Sequence, residues 1–466
     1  MAAETSRSVK VIDQSKVAPP PGSVSTTAVA LTFIDVRCLF LGHTQRIFFY
    51  ELPHPTLYFT QTILPHLRQS LSLSLLHFFP LAANLLCPPP PHDPYILYDE
   101  NNGSVQVTTV ESDADFNHSV ANHARDVKAL KSLVPKLPLH CLSSSSNTTH
   151  VVPIMAIQFT VFPNSGISVG VTLNHAAADG RSFNHFLKFW ASMNRSRGEN
   201  LTSLSLPLHN KDIIEDPHGL LSIYLEDLRK FENLNPIGDH QVPPDNVLTT
   251  LVFKQTKIKQ LKHWIATADN QQQSKINDEE IRISTFAVAC AFMWVNLMKL
   301  QEQIRGSLDD DDDMLYHFLA LADCRERFGS KIPATYFDNC VTLIYAPIKR
   351  RELMGANGMV IAAKAIGRQI YELGTGSVFK GEEKFSSSRE EIVKAGHVVT
   401  VASSPNFRVY ETDFGWGKPK KVEMVHINGY SCFSLAESRE EDGGLDIGVV
   451  VGRDRLDLFN AIFEQI

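Results

Sequence analysis

The stretch that most constrains the fold of this chain is TLNHAAADG, residues 172–180, which lies between a strand pattern and a helix pattern. Before it, residues 167–173 alternate apolar side chains with small or polar ones, as a half-buried strand does. After it comes an apolar stripe at helical spacing, formed by Phe183, Phe186, Leu187 and Trp190. The sequence therefore predicts a strand, a turn that carries His175, and a helix that starts near Gly180.

His175 has the chemistry of a general base, because the pKa of an unperturbed imidazole lies near neutrality. A turn between a strand and a helix holds such a side chain on rigid supports beside a crevice. Asp179 has two open roles: it could orient the imidazole as in a catalytic triad, or it could cap the helix and hold the turn. We favour the second role. A buried histidine followed by a capping aspartate is the alternative for the whole stretch, because short motifs also occur without function.

Length and composition describe a globular protein of two domains. The chain has 466 residues, more than one ordinary domain core holds. A formal net charge of -7 without a basic block argues against nucleic acid as a partner. No apolar run approaches the ~20 residues that cross a bilayer, and no HExxH or paired CxxC motif suggests a metal site. Seven scattered cysteines and the lack of a hydrophobic signal segment predict free thiols and a cytosolic location.

The boundary between the domains is predicted where the periodic pattern weakens. Residues 196–246 contain several Pro and Gly turns and only one short helical piece. A loop of that length is improbable inside one compact domain. We therefore interpret it as a crossover between a domain of residues 1–195 and a domain of residues 247–466.

Other elements follow from the same periodicities. Strands are predicted at 31–35, 46–50, 95–98, 247–253, 317–323, 341–347 and 448–451. Helices are predicted at 56–77 and from 283–286 to 300. The second of these helices has Ser284 or Thr285 as its cap, and its unpaired N–H groups could receive a phosphate or an amide. Simple capping is the alternative.

The sequence DFGWG at residues 413–417 is the second unusual stretch. Glycines on both sides of Trp416 indicate a tight turn with close approach of the backbone. Asp413 needs a partner if it is buried, so a structural role is favoured over a catalytic one.

HAAAD at 175–179 and DFGWG at 413–417, in this order, resemble the HxxxD and DFGWG signatures of the plant BAHD acyltransferases. Further segments resemble landmarks of the same family, so the resemblance covers nearly the whole chain: LTFID at 31–35, PLAAN at 80–84, DCRER at 323–327 and YFDNC at 336–340. The resemblance implies an α/β fold of the chloramphenicol acetyltransferase type. Two similar-sized domains of mixed sheet, flanked by helices, would be joined by a long crossover loop and separated by a solvent channel.

The reaction implied by the resemblance is acyl transfer from a coenzyme A thioester to an acceptor hydroxyl. His175 would act as the general base in a ternary complex, without an acyl-enzyme. Asp179 and Asp413 would be structural, and Arg325 is the candidate partner of Asp413. Acyl-CoA would be a co-substrate and not a resident cofactor. The expected partners are therefore acyl-CoA and a small hydroxylated acceptor, and the expected state is a monomer.

The substrate class rests on YFDNC, which resembles the YFGNC motif of a clade that acylates anthocyanins and other phenolic glycosides, many with malonyl-CoA. Asp338 replaces the glycine of that motif. Arg181 could pair bidentately with a donor carboxylate, or it could be a surface arginine. Ser284, Thr285 and Trp416 are further candidates for substrate binding.

Two kinds of alternative stay open. Within the family, the donor could be hydroxycinnamoyl-CoA or a short aliphatic acyl-CoA, and the acceptor a phenol or a quinone. The crossover sequence LPLHNK at 206–211 lacks the Asp-Arg pair expected there, so it does not identify the acceptor. Outside catalysis, the chain could be a binding protein for acyl-CoA or a small molecule, and a turnover measurement distinguishes the two.

Overall fold

The structure is a computed structural model that describes residues 9–144, 147–198, 205–230, 245–272, 283–306, 311–328, 331–375, 378–379, 381–427 and 432–464. Its strands are β1 Val9–Val17, β2 Thr27–Ala30, β3 His43–Glu51, β4 Asn84–Cys87, β5 Tyr95–Tyr98, β6 Val105–Ser112, β7 Arg125–Asp126, β8 His140–Ser144, β9 Asn147–Pro153, β10 Met155–Phe162, β11 Gly166–Asn174, β12 Asn246–Phe253, β13 Leu315–Asp323, β14 Val341–Lys349, β15 Val398–Ala402, β16 Lys421–Met424, β17 Cys432–Glu437 and β18 Leu445–Gly452. Its helices are α1 Phe33–Cys38, α2 Thr56–Tyr58, α3 Leu64–His77, α4 Phe116–Val120, α5 Val127–Lys131, α6 Gly180–Arg195, α7 Leu220–Lys230, α8 Gln255–Gln272, α9 Thr285–Arg305, α10 Arg350–Leu353, α11 Gly358–Thr375, α12 Glu382–Ala395 and α13 Leu456–Glu464.

Two large mixed sheets organise the chain. The first has six strands in the order β1-β6-β10-β11-β3-β16, with β6 and β10 parallel and the other pairs antiparallel. The second has seven strands in the order β14-β13-β15-β17-β18-β12-β7, with parallel pairs at β13-β15 and β15-β17. A smaller sheet of five strands, β2-β5-β4-β9-β8, completes the N-terminal half. This confirms the predicted α/β class with mixed sheets and flanking helices.

Each large sheet takes one strand from the other half of the chain. β16 comes from the C-terminal half and pairs with β3. β7 comes from the N-terminal half and pairs with β12. The two halves therefore interlock on either side of the crossover, and the domain boundaries at residues 195 and 247 stay a prediction.

The central elements lie deep in the protein. Residues 167–173 alternate as in a half-buried strand, but all nine residues of β11 are buried, so the prediction of a half-buried strand is wrong: β11 is covered on both faces. Helix α9 is buried over most of its first four turns, where it packs against α11 and α13. Helix α6 is amphipathic and packs its apolar stripe against α3. The strand and the helix on either side of His175 thus belong to the core of the N-terminal half.

Most elements predicted from the sequence are confirmed, including the crossover helix α7 and the strand that follows it. The strand predicted at 31–35 is wrong. Thr32 and Asp35 form a capping box, in which each side chain bonds the backbone N–H of the other, and they start helix α1 instead. This local hydrogen bonding outweighs the apolar pattern.

Two further observations concern the helices and the cysteines. In the described ranges, no helix is long and apolar enough to cross a membrane. All seven cysteines are free thiols, and the buried pair Cys324 and Cys340 has its sulfur atoms 3.6 Å apart.

A buried ion pair connects the two exchanged strands and provides a test of the interlock. Arg125 of β7 lies 2.6 Å from Glu423 of β16, with both side chains at most 3% exposed. Arg125→Met leaves this carboxylate buried without its nearest cation, so we expect a loss of about 3 kcal/mol of unfolding free energy, measured by urea denaturation. Lys394→Met, which removes the exposed pair with Glu390, is the control and should leave the urea midpoint unchanged, because solvent screens an exposed ion pair. An unchanged midpoint for Arg125→Met would show that this ion pair does not stabilise the interlock.

Candidate active site

The position of His175 is fixed by the hairpin of β10 and β11 and by the turn that follows it. His175 begins a short 3₁₀ turn that ends at Ala177. Its backbone N–H bonds the carbonyl of Gly42 at 3.3 Å, at the start of β3. The Asn174 side chain accepts from the N–H of Ala176 at 3.0 Å, which caps the turn. The imidazole is therefore carried by backbone that is bonded on both sides.

Asp179 is the N-cap of helix α6, and its carboxylate is fully engaged. One oxygen accepts from the N–H of Ser182 at 2.8 Å. The other accepts from Arg325 Nη1 at 2.8 Å and from the N–H of Cys340 at 2.9 Å. The Asp179 and Arg325 side chains are 1% and 0% exposed. Asp179 therefore caps the helix and pairs with Arg325, which is distant in the sequence, to hold the turn. This is not the geometry of a catalytic triad.

Arg325 joins three of the sequence landmarks. Its Nη2 donates to Ser182 Oγ at 2.9 Å and to the carbonyl of Tyr336 at 3.1 Å. It also pairs with Asp323 at 2.9 Å. HAAAD from the N-terminal half therefore meets DCRER and YFDNC from the C-terminal half at one guanidinium group, which is the bidentate and always charged group suited to such a junction.

Asn339 contacts the proposed base directly. Its amide nitrogen donates to the backbone carbonyl of His175 and to Asp35 Oδ1, both at 2.9 Å. Its amide oxygen and His175 Nδ1 are both buried without a hydrogen-bond partner. The Asn339 side chain acts to raise the pKa of the imidazole. Asn339 therefore holds His175 through its backbone carbonyl, while Nδ1 of the ring makes no hydrogen bond.

Burial lowers the pKa of the His175 imidazole below its ordinary value, because the charged ring loses its hydration. The hydrogen bonds of the site and the charge of Asp179 act in the opposite direction but do not outweigh burial. The ring is therefore neutral at pH 7, which is the state that accepts a proton.

Beneath His175 lies a buried cluster of one ammonium and two carboxylates. Lys211 Nζ is 2.7 Å from Asp35 Oδ2 and 3.1 Å from Asp338 Oδ1. The carboxylate side chains are 0% and 7% exposed, and that of Lys211 is 16% exposed. Asp338, the residue that departs from the YFGNC motif, is thus paired inside the protein and does not face solvent.

Arg181 lies in the first turn of α6 and is already paired. Its Nη1 is 2.5 Å from Asp323 Oδ2, and about a third of each side chain is exposed. Burial disfavours the Asp323 carboxylate, but Arg325 and Arg181 outweigh it and lower its pKa. The charge of Arg181 is therefore largely balanced in this state of the protein.

Asp413 does not pair with Arg325, so that prediction is wrong. Its carboxylate accepts from the N–H groups of Gly415 and Gly417 at 2.8 and 2.9 Å, and it lies 3.4 Å from Arg195. Both glycines have positive φ, 100° and 82°, which explains why glycine is needed there.

Trp416 lies at the opposite end of the sheet from His175, and its assignment to substrate binding stays a prediction. Its ring packs against Tyr50 at 5.3 Å. Tyr50 pairs with Ile167, at the opposite end of β11 from His175. At about 3.3 Å per residue, this separation is roughly 25 Å along the strand. The DFGWG turn therefore stabilises the fold at a distance from the reacting atoms.

Ser284 and Thr285 begin helix α9 in the C-terminal half. Ser284 caps the helix by accepting from the N–H of Ala287 at 3.1 Å. Thr285 Oγ1 accepts from Lys262 Nζ at 2.9 Å. A helix start beside a lysine suits an anion, but the observed contacts are those of a cap. Across the described ranges, no group of three His, Cys, Asp or Glu side chains is arranged to hold a metal ion.

Comparison with known proteins identifies the family. A model of the transferase family matches residues 7–466. An anthocyanidin 3-O-glucoside coumaroyltransferase of Arabidopsis thaliana is 32% identical over 98% of this chain and 97% of its own length. The chain belongs to this family of BAHD acyltransferases. It is therefore an acyltransferase by family.

Further comparisons agree. A phenolic glucoside malonyltransferase of Nicotiana tabacum is 34% identical to this acyltransferase, with 91% of each chain covered. The crystal structure of vinorine synthase matches with a TM-score of 0.69 and 19% identity, covering 98% of each chain. That likeness confirms the two-domain fold, which the sequence resemblance implied.

Three residues of the acyltransferase site were not identified from the sequence: Asp35, Lys211 and Asn339. Asp35 and Asn339 lie in the quoted landmarks LTFID and YFDNC, and that was the available signal. Lys211 lies in the crossover sequence 206–211, which lacks the expected Asp-Arg pair. The sequence alone does not show which side chains Lys211 contacts.

The Arg325 junction generates a test. Arg325→Met leaves Asp179 buried without a cation, so we expect a loss of about 3–5 kcal/mol of unfolding free energy and loss of activity. The control is Arg195→Met, whose side chain is 57% exposed beside Asp413 and which should cost less than ~1 kcal/mol. Urea denaturation measures both. Equal losses for the two variants would argue that Arg325 has no special role.

Proposed function

We propose that this protein is an acyl-CoA-dependent O-acyltransferase in which His175 is the general base. The observation that carries this proposal is the half-buried imidazole of His175 at the junction of the two halves, with Asn339 bonded to its backbone carbonyl and its pKa lowered by burial. Nε2 takes the proton of an acceptor hydroxyl while the oxygen attacks the thioester carbonyl. The carbon–sulfur bond then breaks, and the imidazolium returns the proton to the coenzyme A thiolate. All bonds and protons in this reaction are accounted for without a resident cofactor or an acyl-enzyme.

Asp179 and Arg325 act as structural residues in this mechanism. Their mutual ion pair and the backbone donors on Asp179 hold the end of the HAAAD turn. Because the carboxylate of Asp179 is engaged by three donors, it contributes to the position of the turn and not to proton transfer. Ser284 and Thr285 stay proposals for the coenzyme A end of the donor.

The acceptor class we propose is a sugar hydroxyl of a phenolic or flavonoid glycoside. This rests on the relatives, which are named for anthocyanin and phenolic glucosides. The proposed donor is malonyl-CoA, with Arg181 as the receptor of its free carboxylate. Asp323 would stay paired with Arg325 at 2.9 Å when Arg181 turns toward the donor, so the exchange leaves no buried carboxylate alone.

A coumaroyl-CoA donor is the second candidate, and one observation favours it. Arg181 is already balanced by Asp323 at 2.5 Å, so a neutral acyl group requires no rearrangement. A relative of the same degree of identity is named for this donor.

His175→Ala tests the mechanism. General-base catalysis contributes ~10²–10⁴-fold, so kcat/KM should fall by that factor in a folded protein. The assay is product formation by mass spectrometry from malonyl-, acetyl- and p-coumaroyl-CoA, each with a flavonoid glucoside, a simple phenolic glucoside and an aglycone. Because burial lowers the pKa of His175, the acid limb of kcat/KM in the wild type should lie below pH 6.5. Full activity of His175→Ala would refute the role of His175 as the base. No turnover of the wild type with the whole panel would favour a binding protein.

Arg181→Ala separates the two donors. With malonyl-CoA, we expect KM to rise by about tenfold or more, because a charge-assisted hydrogen bond is lost. With p-coumaroyl-CoA, KM should change by less than about threefold by the same reasoning. Lys188→Met is the control, since Lys188 lies on the same helix as Arg181 and forms a similarly exposed ion pair, with Glu411. An unchanged KM for malonyl-CoA in Arg181→Ala would exclude the carboxylate receptor.

A further inference from the structure

We propose that Lys211 and Asp338 are a positioning pair for the catalytic histidine, through which the crossover segment sets the orientation of His175. The inference rests on the proposed function, because it assumes that His175 is the base. Neither residue touches the imidazole. Their effect is transmitted by Asp35 and Asn339.

The crossover is fastened beside the YFDNC segment by backbone hydrogen bonds. The N–H of Leu208 donates to the carbonyl of Thr335 at 2.8 Å, and the N–H of Phe337 donates to the carbonyl of Leu208 at 3.0 Å. These bonds form a short parallel bridge between the two segments. They bring Lys211, three residues after Leu208, next to Asp338.

Asp35 links the pair to the active site. Its Oδ2 accepts from the backbone N–H and the hydroxyl of Thr32 at 2.8 and 2.9 Å, and from Lys211 at 2.7 Å. Its Oδ1 accepts from the amide of Asn339 at 2.9 Å. The same amide nitrogen holds the carbonyl of His175. A continuous chain of four short contacts therefore runs from Asp338 to His175.

Charge explains why Lys211 matters in this chain. Asp35 is wholly buried and Asp338 nearly so, and among the described residues Lys211 is the lysine whose ammonium contacts both. Without it, two buried carboxylates face each other, and one must take up a proton or draw in water. Either change alters the acceptor that fixes the Asn339 amide, and the carbonyl of His175 loses its fixed donor.

The two residues compensate each other in the sequence. Asp338 stands where the related motif has glycine, and Lys211 lies in the crossover sequence that lacks the Asp-Arg pair. The structure places these two departures 3.1 Å apart. Burial raises the pKa of Asp338 to about 7 and Lys211 opposes that rise, so loss of this cation would make the buried carboxylate still more costly. Asp338 is thus a structural partner of Lys211 and not a contact to the acyl donor.

The test is a set of four variants assayed with the best substrate pair of the panel. Lys211→Met should lower kcat by about 10–100-fold and change KM for either substrate by less than about threefold, because orientation of the base is lost and binding is not. Lys211→Arg should restore kcat to within about threefold of wild type. Asp338→Gly should lower kcat slightly. The kcat of the double variant Lys211→Met, Asp338→Gly should be higher than that of Lys211→Met by about threefold or more, because one unpaired carboxylate has been removed.

The matched control is Lys230→Met. Lys230 lies in the same crossover segment and contacts two carboxylates, Glu226 and Asp227, at 3.0 and 3.6 Å, but its side chain is 63% exposed. It should leave kcat unchanged. A thermal unfolding midpoint above the assay temperature confirms that each variant is folded during the assay.

Three outcomes would overturn the inference: wild-type kcat in Lys211→Met, additive effects in the double variant, or a rise in KM equal to the fall in kcat. These three outcomes differ from those expected if the proposed function itself is wrong. If the proposed function is wrong, His175→Ala is active or the wild type shows no turnover. If His175→Ala is inactive and Lys211→Met is not impaired, only the positioning role is wrong.

Discussion

The ion pair between Arg325 and Asp179 is the contact on which the arrangement of the site depends. It connects a residue at the end of the His175 turn with a residue that follows β13 in the other half of the chain. An isolated buried ion pair contributes little net stability, because desolvation opposes attraction. Its value is geometric: the guanidinium also donates to Ser182 Oγ and the carbonyl of Tyr336, so several directions are fixed at once.

The site is composite because three parts of the chain support one imidazole. The turn that carries His175 comes from the first large sheet. Asn339 comes from the segment before β14, and Lys211 comes from the crossover. Strand exchange through β7 and β16 couples the sheets themselves. A crossover that is usually regarded as a connection therefore also helps to set the geometry of the base.

Sequence reasoning succeeded where one element carries the signal by itself. The alternation before His175 and the stripe after Gly180 are local patterns, and they located β11, α6 and the turn between them. It failed where a residue's partner is a side chain that lies far away in the sequence, because local patterns do not show which side chains the fold brings together. Arg325 was assigned to Asp413, yet a nearer cation, Arg195, and two glycine N–H groups satisfy Asp413. The capping box at Thr32 shows the converse case, in which side chains of two neighbours overrode an apolar pattern that suggested a strand.

The distribution of charge around His175 also explains why an aspartate four residues away does not make a triad. Asp179, Asp323, Asp338 and Asp35 are each paired with a cation in the structure. None of these pairs includes the imidazole, and burial makes its protonated form a stronger acid than free imidazolium. A triad carboxylate would hold the ring and stabilise the imidazolium. Asp179 is instead committed to the N–H of Ser182, to Arg325 and to the N–H of Cys340, so it fixes the turn and leaves burial as the main influence on the pKa of His175.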